Sequence, residues 1–116
     1  MTVTGEGSAG RVLYEVSLDV DRAVADDFRA WLDGHAREIA GLDGFLAARV
    51  FEVRDPAPPA GRIALCVHYL LRDADALDAY LRDQAPRMRA EGLARFGGRF
   101  SAQRRVMGLA MECGQP

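Results

Sequence analysis

An α+β domain is predicted by three features of this 116-residue chain. Apolar and other residues alternate over Val12–Val20, which is the period of a half-buried β-strand. Apolar residues then recur at helical spacing between Val24 and Ile39, and a segment with three prolines, Asp55–Gly61, separates two further strand-like runs. The resulting order of strand, helix, strand, strand, helix, strand repeats one β-α-β unit twice. This order is typical of a ferredoxin-like split β-α-β fold, in which two helices cover one face of a four-stranded antiparallel sheet.

The first helix follows directly on the first strand. Asp21 stands between them, and aspartate is a favoured N-cap residue because its carboxylate accepts hydrogen bonds from free backbone amides. The apolar stripe of the helix consists of Val24, Phe28, Trp31, Leu32, His35 and Ile39. Gly41 is predicted to end the helix.

The next two strands are predicted at Phe45–Val53 and Ile63–Leu71. The third strand carries apolar side chains on both faces, which is typical of a central strand that is covered on both sides. The helices cover only one side of the sheet. A second copy of the chain would cover the other, so a homodimer is predicted.

The second helical region begins after Asp73, another N-cap candidate. Its apolar stripe consists of Leu77, Tyr80 and Leu81. Pro86 interrupts this region because proline lacks an amide hydrogen and clashes with the preceding turn. We therefore expect either a kink or a second short helix with Pro86 in its first turn. Gly97 and Gly98 should end the region, and Arg99–Met111 is predicted as the last strand.

Length and composition restrict the classes of protein. The chain is long enough for one domain, predicted at residues 11–111, with a disordered segment at 1–10 and a tail at 112–116. The net charge is −2, lysine is absent, and the arginines form no basic stripe, which argues against nucleic-acid binding. No apolar run could span a membrane, and no signal peptide is recognised. Cys66 and Cys113 are predicted to be free thiols, and the protein is expected to be soluble and cytoplasmic.

His35 is the first candidate catalytic residue because it lies on the apolar stripe of the first helix. A histidine there is either a core residue with satisfied hydrogen bonds or a general acid or base whose pKa is tuned by burial. Trp31 lies one turn away, so both side chains can face one cavity.

His68 is the second candidate, although its role depends on which face of the third strand it occupies. If Val67 and Tyr69 face the helices, His68 faces the partner subunit and is an interface residue instead. No metal site is predicted, because neither histidine has a recognisable cluster of carboxylates or thiolates beside it.

Charged residues inside strands need a partner, solvent or a ligand. Glu15 can pair with Arg49 or Arg104 across strands. Alternatively, one of these arginines holds a carboxylate or phenolate of a substrate.

Two segments of the second helical region are distinctive, APRMR at Ala85–Arg89 and LARFGGRF at Leu93–Phe100. They are accompanied by Tyr14, Trp31, His35 and Val67–Tyr69. Over Leu13–Leu109 the chain resembles an uncharacterised bacterial domain-of-unknown-function family of the dimeric α+β barrel superfamily, which includes antibiotic biosynthesis monooxygenases and EthD-like proteins. The resemblance implies a dimer of two ferredoxin-like sheets, with a pocket for an apolar small molecule between the sheet and the helices. Relatives often carry histidine at the positions of Gln84 and Gly92, so no chemistry of that helix is transferred here.

Two classes of function follow from these features. The first is an enzyme without a cofactor that oxygenates, cyclises or isomerises an apolar aromatic or polyketide-like molecule in bacterial secondary metabolism. His35 would act as acid or base, and the pocket walls would be Tyr14, Trp31, Phe51, Tyr69 and Tyr80. The alternative is a non-catalytic, small-molecule-binding or stress-associated dimer. An open pocket with His35 in its wall favours the enzyme, and a filled core with His35 bonded to backbone favours the binding protein.

Overall fold

The computed structural model describes residues 10–114. Its strands are β1 (Val12–Asp21), β2 (Phe45–Glu52), β3 (Arg62–Leu71) and β4 (Phe100–Gly108). Its helices are α1 (Ala25–Ala40), α2 (Ala74–Asp83) and α3 (Ala85–Phe96). The order of elements confirms the ferredoxin-like α+β fold.

The four strands form one sheet in the order β2-β3-β1-β4, and all neighbours are antiparallel. Every second residue of β3 is buried, from Ile63 to Leu71, and these residues lie opposite the inward-facing residues of β1, of which all but Val16 are buried. The helices contribute the other half of the core, with Phe28, Leu77 and Met88 among its most buried side chains. We call the sheet face toward the helices the inner face and the opposite one the outer face.

One of the two predicted N-caps starts a helix as expected. Asp73 Oδ1 accepts a hydrogen bond from the Ala76 amide at 2.8 Å and caps α2. Asp21 Oδ1 accepts one from the Ala23 amide at 2.9 Å, but it caps a three-residue turn of 3-10 helix, and α1 begins after this turn without a side-chain cap. The region after Asp73 is two helices, because α2 ends at Asp83 and α3 begins at Ala85 with Pro86 in its first turn. The structure thus adopts the second of the two arrangements expected at this proline.

The last strand is shorter than predicted. It runs from Phe100 to Gly108 rather than from Arg99 to Met111. Regular pairing stops there because Gly108 lies opposite Val12, the first residue of β1. Arg99 instead belongs to a turn of 3-10 helix after α3.

A β-bulge near the start of β2 decides which side chains face the helices. Phe45 lies opposite Leu71 of β3. Ala47 lies opposite Leu70, the adjacent residue, so Leu46 is an extra residue in its strand. Side chains alternate across a strand, so one extra residue exchanges the two faces of everything that follows.

Gly44, in the turn between α1 and β2, provides a stability test. Its φ of 87° lies in the left-handed region, and a Cβ there would collide with the Cβ of Ala76. Gly44→Ala should lower the free energy of unfolding by about 2–4 kcal/mol, which combines backbone strain with overpacking. Gly61→Ala is the matched control, because its φ is 81° but no atom lies within 4 Å of the added Cβ.

Urea unfolding of both glycine variants separates strain from collision. Gly61→Ala should lose only about 1–2 kcal/mol, the cost of the left-handed backbone alone. Equal losses in the two variants would contradict the predicted collision with Ala76.

Other sequence predictions concern the chain as a whole. No helix within residues 10–114 is long and apolar enough to cross a membrane. Cys66 and Cys113 are free thiols, as predicted. The segment predicted to be disordered, 1–10, lies outside the described residues except for Gly10.

Candidate functional site

A small cavity of about 60 Å³ lies between the inner face of the sheet and the helices. Strands β1, β3 and β4 form its floor, and helices α1, α2 and α3 form its roof. Its wall includes six residues that the sequence predicted as catalytic or substrate-binding: Tyr14, Trp31, His35, Tyr69, Tyr80 and Arg104. We call this space the aromatic cavity.

Three tyrosines form one wall of the aromatic cavity. Tyr14 and Tyr69 lie directly opposite each other on β1 and β3, with ring centroids 6.0 Å apart. Tyr80 approaches Tyr14 edge-on from α2 at 6.1 Å. Burial, followed by the neighbouring phenols, raises the pKa of Tyr80 to about 12 and also raises the pKa of Tyr69. Both phenols therefore stay protonated at neutral pH and can donate hydrogen bonds.

His35 and Trp31 form the opposite wall, one turn apart on α1. Their rings stack with centroids 4.3 Å apart and an interplanar angle of 24°. Gly92 of α3 allows this packing, because a Cβ at that position would lie 3.0 Å from Trp31 Cη2. The His35 side chain is 12% exposed, so the stack is nearly closed to solvent.

The ring nitrogen Nδ1 of His35 is buried and has no hydrogen-bond partner within residues 10–114. The nearest carboxylate oxygen, Glu91 Oε1, lies 3.9 Å away, beyond hydrogen-bond distance. Buried polar atoms are rarely left without a partner, and each exception in a folded protein calls for an explanation. Because His35 is a wall residue of the aromatic cavity, its imidazole is a candidate contact for a bound molecule.

Burial lowers the pKa of His35 below its ordinary value of 6.5, and the carboxylates of Glu91 and Glu38 offset part of this effect. Both carboxylates contact Arg87, which moderates their influence on the imidazole. His35 is consequently neutral at physiological pH. A neutral imidazole can accept a proton and act as a general base.

The lowered pKa of His35 predicts a pH dependence of stability. The unfolded chain binds the histidine proton as the pH falls below about 6.5, whereas the folded chain resists it. The free energy of unfolding should therefore fall with pH below 6.5, until folded His35 is protonated too, and His35 should contribute nothing to the slope above it. In His35→Gln this contribution should disappear.

Urea unfolding of the unmodified protein and of His35→Gln between about pH 5 and 8 measures this contribution. Subtracting one pH profile from the other removes the effect of the carboxylates, which both proteins share. Identical pH profiles would show that the pKa of His35 is the same in the folded and unfolded chains.

Two guanidinium groups lie at the cavity. Arg89 of α3 donates a hydrogen bond to the hydroxyl of Tyr14 at 3.1 Å, and Arg104 of β4 lies opposite Val16 on the inner face. Within residues 10–114, neither arginine forms an ion pair. Both remain free to neutralise negative charge on a bound molecule.

The other three residues nominated from the sequence lie on the outer face. His68 lies there because Val67 and Tyr69 face the helices. This is the arrangement for which the sequence predicted His68 at a subunit interface. Arg49 lies opposite His68, and Phe51 lies opposite Cys66. Phe51 is therefore not a wall of the aromatic cavity, and Arg49 cannot reach it, because the bulge in β2 exchanges the two faces.

Glu15 has a different partner from the two that the sequence suggested. Its Oε2 accepts a hydrogen bond from Arg105 Nε at 2.6 Å, and its Oε1 lies 2.9 Å from His68 Nε2. Hydrogen bonding by Arg105 lowers the pKa of Glu15 more than any other contact. Arg104, the neighbour of Arg105, points to the inner face instead.

Sequence reasoning missed the contribution of α3 to the cavity. Met88, Arg89 and Gly92 line it from this helix, and Phe100 closes one end. Met88 and Gly92 are spaced i and i+4 on the buried stripe of α3, which a helical projection from Pro86 could have indicated. Arg89 had no comparable signal, because its position beside Tyr14 depends on how α3 crosses β1.

The chain matches the model of the family described as Domain of unknown function (DUF4286) over residues 11–110. No functionally curated protein sequence matches it.

Solved structures with the same fold come from several sources. SnoaB, a cofactor-independent oxygenase from Streptomyces nogalater, is 15% identical with a TM-score of 0.69, over 92% of this chain and 100% of that chain. A dimeric ferredoxin-like protein from an uncultured marine organism is 14% identical with a TM-score of 0.65, over 90% and 99%. A candidate antibiotic biosynthesis monooxygenase from Bacillus cereus is 13% identical with a TM-score of 0.64, over 91% and 99%. These likenesses concern the fold, whereas the family match spans nearly the whole chain, which therefore belongs to the DUF4286 family.

Proposed function

We propose that this protein is a cofactor-independent enzyme that removes a proton from a hydroxylated aromatic or polyketide-like molecule. The single observation that carries the proposal is His35 in the wall of the aromatic cavity, with a buried Nδ1 that has no hydrogen-bond partner within residues 10–114. Its neutral state suits a base, and its stacking on Trp31 fixes the ring. The similarity in fold to SnoaB, a cofactor-independent oxygenase, supports this class of reaction.

The proposed reaction starts with transfer of a C–H or O–H proton from the substrate to His35. The bonding electron pair stays on the substrate as an enolate or phenolate, and Arg89 and Arg104 stabilise its charge. For oxygenation, the carbanion form adds O₂ and takes a proton to give a hydroperoxide, which loses water and leaves a carbonyl. For isomerisation or cyclisation, the same anion takes up a proton or closes a ring at another carbon.

We also propose that the protein is a homodimer formed through the outer face. An apolar patch of Leu13, Leu70 and Met107 lies there, adjacent in register across β3, β1 and β4. Phe51, 46% exposed, adds a large apolar side chain to the same face. The dimeric ferredoxin-like relative in fold supports this arrangement.

The small volume of the cavity is closer to the filled core expected of the second candidate, a non-catalytic binding protein. About 60 Å³ is well below the roughly 300–1,000 Å³ of pockets that enclose drug-sized ligands. A polycyclic substrate therefore requires the exposed side chains of Arg89 and Arg104 to swing outward. If they do not, the cavity is a packing defect or holds only a small guest.

Trp31 is the only tryptophan of the chain, so its fluorescence reports on the aromatic cavity alone. We expect saturable quenching by members of a panel of phenols, naphthols and anthrones, followed by oxygen uptake with at least one of them. N-acetyltryptophanamide is the control for collisional quenching and light absorption by the ligand. Quenching without any turnover would favour the binding protein, and no saturable quenching would refute both.

A further inference from the structure

The outer face holds a cluster of three potential metal ligands. Glu15, Cys66 and His68 offer a carboxylate oxygen, a thiol sulfur and an imidazole nitrogen, and these atoms all lie within 4.8 Å of one another. We expected no cluster of carboxylates or thiolates beside either histidine, and this expectation is wrong for His68. The sheet register brings them together: Glu15 lies opposite His68, and Cys66 is two residues before His68 on the same face of β3.

From this geometry we infer that the outer face binds one divalent transition-metal ion, with Zn²⁺ as the best fit. Sulfur, nitrogen and oxygen donors together match the ligand preferences of Zn²⁺. Tetrahedral coordination at zinc–ligand distances of about 2.0–2.3 Å separates ligand atoms by roughly 3.3–3.7 Å. The present separations require shifts of about 1 Å, which side-chain rotation supplies.

Arg105 completes the site as an outer partner. It holds Glu15 Oε2 and leaves Oε1 directed toward His68 Nε2, at 2.9 Å. Hydrogen bonds of this kind orient the ligating carboxylates of metal sites. The metal would enter between Oε1 and Nε2, and the Cys66 thiol would release its proton to solvent on coordination.

Solvent and charge also allow a metal ion to bind. The side chain of His68 is 33% exposed, so the metal can enter from the outer face of the isolated subunit. The charges of Glu15 and Arg105 cancel. A Zn²⁺ ion bound by the Cys66 thiolate therefore leaves one net positive charge on the complex. Three protein ligands leave the fourth position to water or to a group from a second subunit. The site is independent of the aromatic cavity, because it lies across the sheet from His35.

Metal binding by the full chain, freed of metals with a chelator, tests the inference. Zinc titration against a chromophoric chelator should give one equivalent per chain. Co²⁺ in place of Zn²⁺ should give a thiolate-to-metal charge-transfer band in the near ultraviolet. Cys66→Ser should abolish this band, and either Cys66→Ser or His68→Gln should weaken zinc binding at least about 100-fold, since loss of an outer partner alone costs about 10- to 100-fold.

Cys113→Ser is the matched control, because Cys113 is the other free cysteine and is exposed. It should leave the stoichiometry, the band and the affinity unchanged. Circular dichroism checks that each variant is folded. The inference is overturned if the unmodified chain gives no charge-transfer band, if Cys66→Ser retains it, or if Cys113→Ser removes it.

Discussion

His35→Gln should lower kcat about 100- to 10,000-fold with the compound that gives oxygen uptake, because the variant lacks the base that takes the substrate proton. Glutamine preserves much of the volume of the imidazole and a polar group, so the stack against Trp31 is largely kept. The Kd from Trp31 fluorescence should change much less than kcat. This split between binding and turnover distinguishes a proton acceptor from a residue that merely shapes the cavity.

Asp27→Asn is the control for the His35 variant. Asp27 lies in the first turn of the same helix and is exposed, so its replacement should leave kcat and Kd unchanged. A His35→Gln protein with normal turnover would contradict the assignment of the general base. If its turnover and its stability both fell, the fluorescence of Trp31 without ligand would show whether the cavity itself had collapsed.

Leu70→Asp should raise the dissociation constant of the homodimer at least about 1,000-fold. Leu70 lies in the apolar patch on the outer face, and two-fold symmetry would bury one new carboxylate from each subunit. Each unpaired buried charge costs about 3–5 kcal/mol, more than most interfaces can absorb. Sedimentation velocity across micromolar concentrations measures the shift from dimer to monomer.

Leu93→Asp is the matched leucine replacement on the helical side of the molecule. Leu93 is 60% exposed on α3, away from the outer face, so this variant should remain dimeric. A Leu70→Asp protein that stayed dimeric would place the interface elsewhere. Loss of the dimer in both variants would point to the helices as well.

Local patterns were sufficient to predict most of the fold. Each of these patterns involves residues that are close together in the chain: the alternation in β1, the apolar stripe of α1 and the N-cap of α2. A single sequence therefore reveals them. Pro86 marked the break between α2 and α3 for the same reason. The limits of β4 were not predictable in this way, because they depend on where β1 begins.

The candidate site was predicted in part. His35 and Trp31 share a cavity because their spacing on one helix guarantees neighbouring side chains. The aromatic wall depended on strand pairing, which aligned Tyr14 with Tyr69. Arg89 could not be predicted, because no local pattern specifies the angle at which one element crosses another.

The cluster of Glu15, Cys66 and His68 illustrates the same limit. Cys66 and His68 are two residues apart, and their shared face is evident from the sequence. Glu15 lies 53 positions before His68, and only the register of β1 on β3 joins them. A register shift of one residue would have placed a different side chain beside the histidine.

The bulge at Leu46 also has an evolutionary consequence. Deletion of this one residue would restore regular alternation in β2, and Ala47 would still lie opposite Leu70, so Arg49 and Phe51 would stay on the outer face. A single codon lost at the bulge thus moves neither the positive charge nor the aromatic ring to the cavity side of the sheet. Members of this family that differ in length at this turn would then keep the same cavity wall, because the bulge absorbs a change in length that would exchange the two faces of a strand without one.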